Sequence, residues 1–173
     1  RAMLKDSVQQ ALNDQVKNEF YSAHVYLSMC AWFEDQGLPG FASWMRLQYQ
    51  EELGHGIKIF DFINDRDGKV IIDGVEAPPT TWSSPLDAFQ AAHENEKAVS
   101  KSIDDLYNLA DTENDHATKV MLQWFITEQV EEEKTARELV AKFHMVQNDP
   151  ASILDLDREL GARTAEAEAG KGE

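Results

Sequence analysis

The sequence has only one cysteine, Cys30, and no long apolar run. One cysteine excludes an internal disulfide and a Cys-x-x-Cys metal site. A span across a membrane needs a run of about 18 or more apolar residues, so no transmembrane helix is predicted. The first residues also lack the apolar core of a signal peptide, and we therefore expect a cytoplasmic protein.

Basic residues are scarce as well. The 173 residues include 16 Lys and Arg against 32 Asp and Glu, which gives a formal net charge of −16. Such a charge disfavours binding to nucleic acids and anionic membranes and attracts cations, although it also serves solubility. Because 42% of the residues are apolar, the chain can bury a core. We predict one domain over residues 1–163 and a polar, frayed tail over residues 164–173.

Glycine and proline fall mostly between long segments with helical periodicity. They divide the chain into four long helices and a short one, predicted at residues 4–36, 41–66, 85–110, 115–147 and 150–163. Ser84 is a suitable N-cap for the third helix, Pro85 suits its first position, and Asp87 suits its first turn.

The lengths of the connections predict the topology. The first and third connections are short, so each joins an antiparallel helical hairpin. Residues 67–84 form an 18-residue link that can reach about 55–60 Å. A 26-residue helix is only about 39 Å long, so the link can cross the bundle. The predicted fold is all-α, a ferritin-like four-helix bundle with one long crossover and a short fifth helix. Val70–Ile72 in the link is expected to be extended, with a strand or pairing across a two-fold interface as alternatives.

Each long helix carries one glutamate at the centre of its apolar stripe and near its middle. No Lys or Arg accompanies these glutamates on the stripes at that level. Unpaired buried carboxylates are costly, so their charge must be balanced from elsewhere. Two divalent cations would balance four carboxylates, and we therefore predict a dinuclear metal site. Its ligands are Glu19, Glu52, Glu96 and Glu132.

A histidine one turn after Glu52 adds a nitrogen ligand. The pair Glu52-x-x-His55 matches half of the di-iron bundle pattern, whereas the fourth helix has no corresponding histidine. The site is therefore predicted to be asymmetric, and its oxygen-rich ligands suit Fe, Mn or, less specifically, Zn. Nearby acids, Glu51, Glu128 and Glu131, could build an adjacent third metal position with Glu132. The alternative is that Glu51, Glu131 and Glu133 are solvated.

Several short motifs resemble those of bacterial and archaeal non-haem ferritins over residues 4–161. They are Phe20-Tyr21-Ser22-Ala23, Tyr26-Leu27-Ser28-Met29, Trp44-Met45, Gln50-Glu51-Glu52 with His55, and Gln123-Trp124 with Glu128-Gln129-Val130-Glu131-Glu132-Glu133. The resemblance implies a hollow homo-oligomeric shell, usually of 24 subunits. It also implies ferroxidase activity, in which Fe(II) is oxidised by O2 or peroxide and stored as ferric mineral.

The resemblance also implies roles for individual residues. The first iron would bind Glu19, Glu52 and His55, and the second would bind Glu52, Glu96 and Glu132. A third iron would bind Glu51, Glu128, Glu131 and Glu132. Tyr26 matches a tyrosine beside the iron pair, where it is either an electron donor or a core residue. Trp124 and Gln129 would lie behind the ligands.

Related families fit less well. A bacterioferritin would have a methionine at the position of Leu53 to ligate haem, so no haem is predicted. A rubrerythrin needs a Cys-x-x-Cys domain, and DNA-protecting mini-ferritins place iron between subunits. A di-iron oxidase or peroxide scavenger without storage, and a non-catalytic helical protein, remain alternatives. His93 is either an outer ligand or an edge residue. The sequence does not explain why glycines, Gly54 and Gly56, lie on both sides of His55.

Overall fold

A computed structural model describes residues 4–164, so the predicted tail lies outside the described residues except for Thr164. The division into one domain and a tail therefore stays a prediction. The four long helices and the short fifth helix are present close to the predicted bounds. They are α1 (Asp6–Asp35), α2 (Pro39–Asp65), α3 (Pro85–Thr112), α4 (His116–Val146) and α5 (Pro150–Gly161).

The first three helices end in the same way. Each is followed by a residue with positive φ, namely Gly37 (71°), Asp67 (56°) and Asn114 (57°). In each case the next amide donates back to a carbonyl in the last turn, as Leu38 N does to Phe33 O at 3.0 Å. This is the Schellman arrangement, which satisfies the free carbonyls of a helix end. At the start of α3 the predicted cap is confirmed, because Asp87 N donates to Ser84 Oγ at 3.1 Å.

The helices pack as a four-helix bundle with a fifth helix on its outside. α1 packs against α2 and α3 packs against α4, while α1 also contacts α3. The short α5 lies mainly against α2. This confirms the predicted fold class. None of the helices that the structure describes is long and apolar enough to cross a membrane.

The connection between α2 and α3 runs along α1. Its first part is anchored near the start of α1, where Asn13 Nδ2 donates to Lys69 O at 3.0 Å and Ile71 N donates to Asn13 Oδ1 at 2.7 Å. Its last part is anchored near the other end, where Ser28 Oγ donates to Pro79 O at 2.5 Å. The link therefore crosses the length of the bundle, as predicted.

No strand forms within residues 4–164. Within the segment Val70–Ile72, the amide of Ile71 donates to the side chain of Asn13 on α1. The side chains of Ile71 and Ile72 remain 50% and 64% exposed. Pairing of this segment across a two-fold interface stays a prediction.

The core consists of two separate clusters, one at each end of the bundle. One is rich in aromatic residues, including Phe33, Phe41, Phe89 and Phe143. The other is mainly aliphatic, with Val8, Leu12, Ile59, Ile63 and Ile103 among its members. Along every long helix, the predicted glutamate lies between the part that belongs to one cluster and the part that belongs to the other. The four carboxylates therefore meet at one level, where the apolar core is interrupted.

Candidate metal centre

The four predicted glutamates differ in burial. Glu19, Glu52 and Glu96 are completely buried. Glu132 retains some exposure. Completely buried carboxylates are rare in proteins unless they are paired or bind a metal.

Three of the predicted ligands form a compact group. Glu19, Glu52 and His55 each offer a ligand atom within 4.8 Å of the others, and within residues 4–164 no other group of three meets this criterion. His55 Nδ1 lies 3.4 Å from Glu52 Oε2 and 4.0 Å from Glu19 Oε2. The residues expected to bind the first metal ion are thus brought together.

Several buried atoms in this group have no hydrogen-bond partner. They are Oε2 of Glu19, both carboxylate oxygens of Glu52 and Nδ1 of His55. The other oxygen of Glu19 accepts a hydrogen bond from Gln15 Nε2 at 3.1 Å. Buried polar atoms are nearly always satisfied, so four unsatisfied atoms facing one another indicate a missing partner. A cation is the partner that carboxylate oxygens and a neutral imidazole nitrogen can share.

His55 is held in a neutral form. Burial, followed by the nearby Lys58 ammonium, lowers the pKa of His55 to about 4. Its ring packs against the rings of Trp124 and Phe125, with centroid distances of 5.4 and 5.9 Å. Lys58 Nζ lies 3.5 Å from the centroid of Trp124. A neutral, well-packed imidazole is the form that coordinates metals, and the ring of Trp124 packs against it.

Glu96 is positioned by hydrogen bonds from the protein. The hydroxyl of Tyr26 donates to Glu96 Oε1 at 2.5 Å, and Gln129 Nε2 donates to Glu96 Oε2 at 3.2 Å. On the other side, Gln48 Nε2 donates to Glu132 Oε2 at 3.0 Å. Glu96 and Glu132 are therefore oriented by neighbouring side chains of the protein.

Burial raises the pKa of all four carboxyl groups. The pKa of Glu52 is raised well above its usual value, first by burial and then by the charge of Glu96, and burial raises that of Glu19. The pKa of Glu96 is raised to about 7 by burial, and that of Glu132 to about 8 by burial and by Glu96. Without a cation, these four carboxyl groups therefore resist losing all of their protons. A bound cation would favour the ionised carboxylates, and their negative charges would in turn stabilise the cation.

The residues predicted for a third metal position are less well grouped. Glu131 is exposed and Glu128 is partly buried. Glu51 Oε1 accepts a hydrogen bond from Arg163 Nη2 at 3.0 Å, and the two side chains form an ion pair. His93 is partly buried on α3 and does not belong to the compact group.

Sequence reasoning missed three residues that contact the site. Gln15 and Gln48 each lie one turn before a stripe glutamate, at positions i−4 from Glu19 and Glu52. A glutamine at that spacing on an apolar stripe was a usable signal. Arg163 gave no signal, because its contact depends on how α5 docks on α2.

One of the two glycines beside His55 is explained. A Cβ atom on Gly56 would lie 2.4 Å from the ring of Phe20, so glycine allows α1 and α2 to approach closely here. Nothing lies within 4 Å of a Cβ on Gly54, and nothing in the structure explains that glycine.

The donor set suits iron. It consists of several carboxylate oxygens and one imidazole nitrogen, in an asymmetric arrangement without thiolates. The fold and the site together define a four-helix-bundle protein with a candidate carboxylate metal site. The model of the family described as a ferritin-like domain matches residues 9–146. The chain belongs to the ferritin family, whose members store iron.

Individual relatives agree with this assignment. The chain is 41% identical over 161 residues to a bacterial non-heme ferritin of Bacteroides fragilis, covering 93% of this chain and 100% of the relative. It is 36% identical over 162 residues to a bacterial non-heme ferritin of Staphylococcus saprophyticus, covering 94% and 97%. Among solved structures, an open pore ferritin from the archaeon Archaeoglobus fulgidus has a TM-score of 0.92 and 45% identity, over 93% of this chain and 99% of that chain.

Proposed function

We propose that this chain is a ferroxidase subunit of a hollow homo-oligomeric ferritin shell, which oxidises Fe(II) inside the bundle and stores it as ferric mineral. The observation that carries the proposal is the group of buried, unsatisfied ligand atoms on Glu19, Glu52 and His55. The family membership supports iron as the metal. In this reaction iron is the substrate and passes on to the store.

The two ions would be held by overlapping ligand sets. Glu19, Glu52 and His55 would bind the first Fe(II), and Glu52, Glu96 and Glu132 would bind the second. The charge of −4 from the four carboxylates would balance two divalent ions. The pair of Fe(II) ions supplies two electrons, which with two protons reduce O2 to hydrogen peroxide or reduce one hydrogen peroxide to two waters.

Residues around the ligands would serve the reaction by orientation and charge. Gln129 and Tyr26 hold both oxygens of Glu96, and Gln48 holds Glu132. The hydroxyl of Tyr26 donates to Glu96, and Tyr26 would give a further electron when an oxidant needs more than the iron pair supplies. Its buried position also makes it a core residue.

The direct test is the double variant Glu52→Ala with His55→Ala. We expect rapid Fe(II) oxidation, followed by the absorbance of the ferric product in a stopped-flow instrument, to fall by about a hundredfold or more. The matched control on α2 is Asp61→Asn, which removes an exposed acid. An unchanged oxidation rate in the double variant would show that the site is not the ferroxidase.

The shell is tested separately from the chemistry. We expect a particle of about 24 subunits, as in known ferritins, that retains an electron-dense iron core after loading. A stable dimer without a core would favour a di-iron oxidase or peroxide scavenger that does not store iron. The absence of haem and of nucleic-acid partners and the cytoplasmic location stay predictions from the sequence.

A further inference from the structure

The side chain of Arg163 lies beside the metal centre although it belongs to the far end of the chain. Its Nη1 donates to Gln48 Oε1 at 2.7 Å, and its Nη2 donates to Glu51 Oε1 at 3.0 Å. Its guanidinium carbon lies 5.0 Å from the centroid of the Trp44 ring. The side chain is only 13% exposed, so this is an anchored cation and not a solvated one.

The docking of α5 on α2 fixes where this guanidinium lies. Asp157 is buried and its Oδ1 accepts a hydrogen bond from Phe41 N at 2.8 Å, near the start of α2. A Cβ on Gly40 would lie 1.8 Å from the carbonyl oxygen of Asp157, so only glycine allows this approach. Gly161 also packs directly on Gly40. Because α5 is held at this end, Arg163 just after it meets α2 three turns further along.

One acid of the predicted third metal position, Glu51, pairs with Arg163. The negative charges of Glu51 and Glu128 both act on Glu132. A divalent ion bound to Glu51 would have to share that carboxylate with a guanidinium already 3.0 Å away. Two cations that share one partly buried carboxylate repel each other.

The same guanidinium also orients a contact to the metal centre. Gln48 accepts from Arg163 through Oε1, and this leaves its Nε2 to donate to Glu132 Oε2 at 3.0 Å. The three groups form one continuous chain of hydrogen bonds from α5 to a predicted ligand. Arg163 therefore interacts with the centre in two ways. Its charge pairs with Glu51, and its hydrogen bond to Gln48 orients the amide that donates to Glu132.

We propose that Arg163 is a built-in cation at the third position, which excludes a third divalent ion while α5 is docked and holds Gln48 towards Glu132. This inference rests on the proposed function, because it takes the neighbouring carboxylates to be metal ligands. In this reading the centre binds two ions, and the positive charge that a third ion would bring is supplied by the protein. Arg163 is a positioning residue and does not contact the reacting atoms.

The test counts Zn(II) ions bound by the intact, metal-free protein, using isothermal titration calorimetry. Zn(II) is not oxidised, so the readout is independent of activity. We expect the wild type to bind about two tight ions per subunit and Arg163→Gln to bind about three. Arg163→Lys, which keeps the charge, should remain at about two. Arg163→Met gives a second neutral variant, and circular dichroism checks that each variant is folded.

Two further variants locate the added ion. Combining Arg163→Gln with Glu51→Gln should abolish the gain, because the added ion needs Glu51. Arg158→Gln removes an exposed arginine of the same helix, paired with Asp155, and should leave the count unchanged. Two results would overturn this inference but leave the proposed function intact. In the first, the wild type already binds a third Zn(II) ion through Glu51. In the second, the neutral variants fold and bind two Zn(II) ions but gain no third. A wild type without tight Zn(II) binding would overturn the proposed function and this inference with it.

Discussion

The two sides of the metal centre are built differently. On one side, Glu19, Glu52 and His55 turn buried atoms towards one another without hydrogen-bond partners. On the other side, Glu96 and Glu132 accept hydrogen bonds from neighbouring side chains. The first side therefore needs a cation to satisfy it, whereas the second is oriented by hydrogen bonds from the protein. Removing a ligand on the first side should therefore have a different effect from removing a hydrogen-bond donor on the second.

The largest expected effect is on the stability of the metal-free protein as the pH rises from about 6.5 to 8. The native pKa values of Glu96 and Glu132, about 7 and about 8, exceed the unfolded value of 4.5. The native state therefore binds more protons than the unfolded state in this range. Its stability falls as the pH rises, by about 1.4 kcal/mol per pH unit for each carboxyl group that is protonated only in the native state. His55, whose native pKa is lowered to about 4, opposes this only below its unfolded value of 6.5. Denaturant unfolding measures the slope.

Saturating Zn(II) is the control for this prediction. The ion binds the ionised carboxylates, so the fall in stability with pH should vanish or reverse. Glu132→Gln should reduce the slope of the metal-free protein. A metal-free protein whose unfolding free energy rises over this range would mean that these carboxyl groups are ionised and balanced without a metal.

The next effect comes from removing a ligand on the unsatisfied side. Glu19→Gln should slow Fe(II) oxidation by about a hundredfold, because a neutral amide is a much weaker ligand for the first ion. Stopped-flow absorbance measures the initial rate. Glu34→Gln makes the same change at an exposed position of α1 and should keep the wild-type rate. Equal rates for the two variants would contradict the placement of the first ion.

A smaller effect is expected on the side that is already oriented. Tyr26→Phe removes the hydroxyl that donates to Glu96 but leaves every ligand in place. The affinity for the second Zn(II) should fall by about tenfold, the usual effect of losing a partner of a ligand. Calorimetry measures it, with Tyr49→Phe on α2 as the control. If the affinity is unchanged while oxidation slows, Tyr26 acts as an electron donor and not by orienting Glu96.

The smallest effect tests the close packing of α1 and α2, the two helices that carry Glu19, Glu52 and His55. Gly56→Ala should lower the unfolding free energy by about 1 kcal/mol or more, because the added methyl group meets the ring of Phe20 next to Glu19. Gly54→Ala is the matched control and should raise it by up to about 1 kcal/mol, since space is free there and alanine favours a helix. Thermal unfolding compares them, and a reversed order would remove this account of Gly56.

The helices were predictable from the sequence because they depend on local periodicity. The same periodicity singled out the candidate ligands, whose role in binding metal stays a prediction. A glutamate at the centre of an apolar stripe is recognisable within one helix, and Ser84 with Asp87 is recognisable as a cap. The contact of Arg163 with Glu51 was not predictable in this way, since it follows from the tight docking of Gly40 on Asp157. The hydrogen bonds of Asn13 to the crossover likewise depend on the path that the folded link takes.

The most direct test of the centre is diffraction from iron-soaked crystals, with anomalous differences measured at the iron absorption edge. We predict one iron peak between Glu19, Glu52 and His55, a second between Glu52, Glu96 and Glu132, and none beside Glu51. The absence of iron from the first of these positions, with iron bound elsewhere in the bundle, would contradict the account.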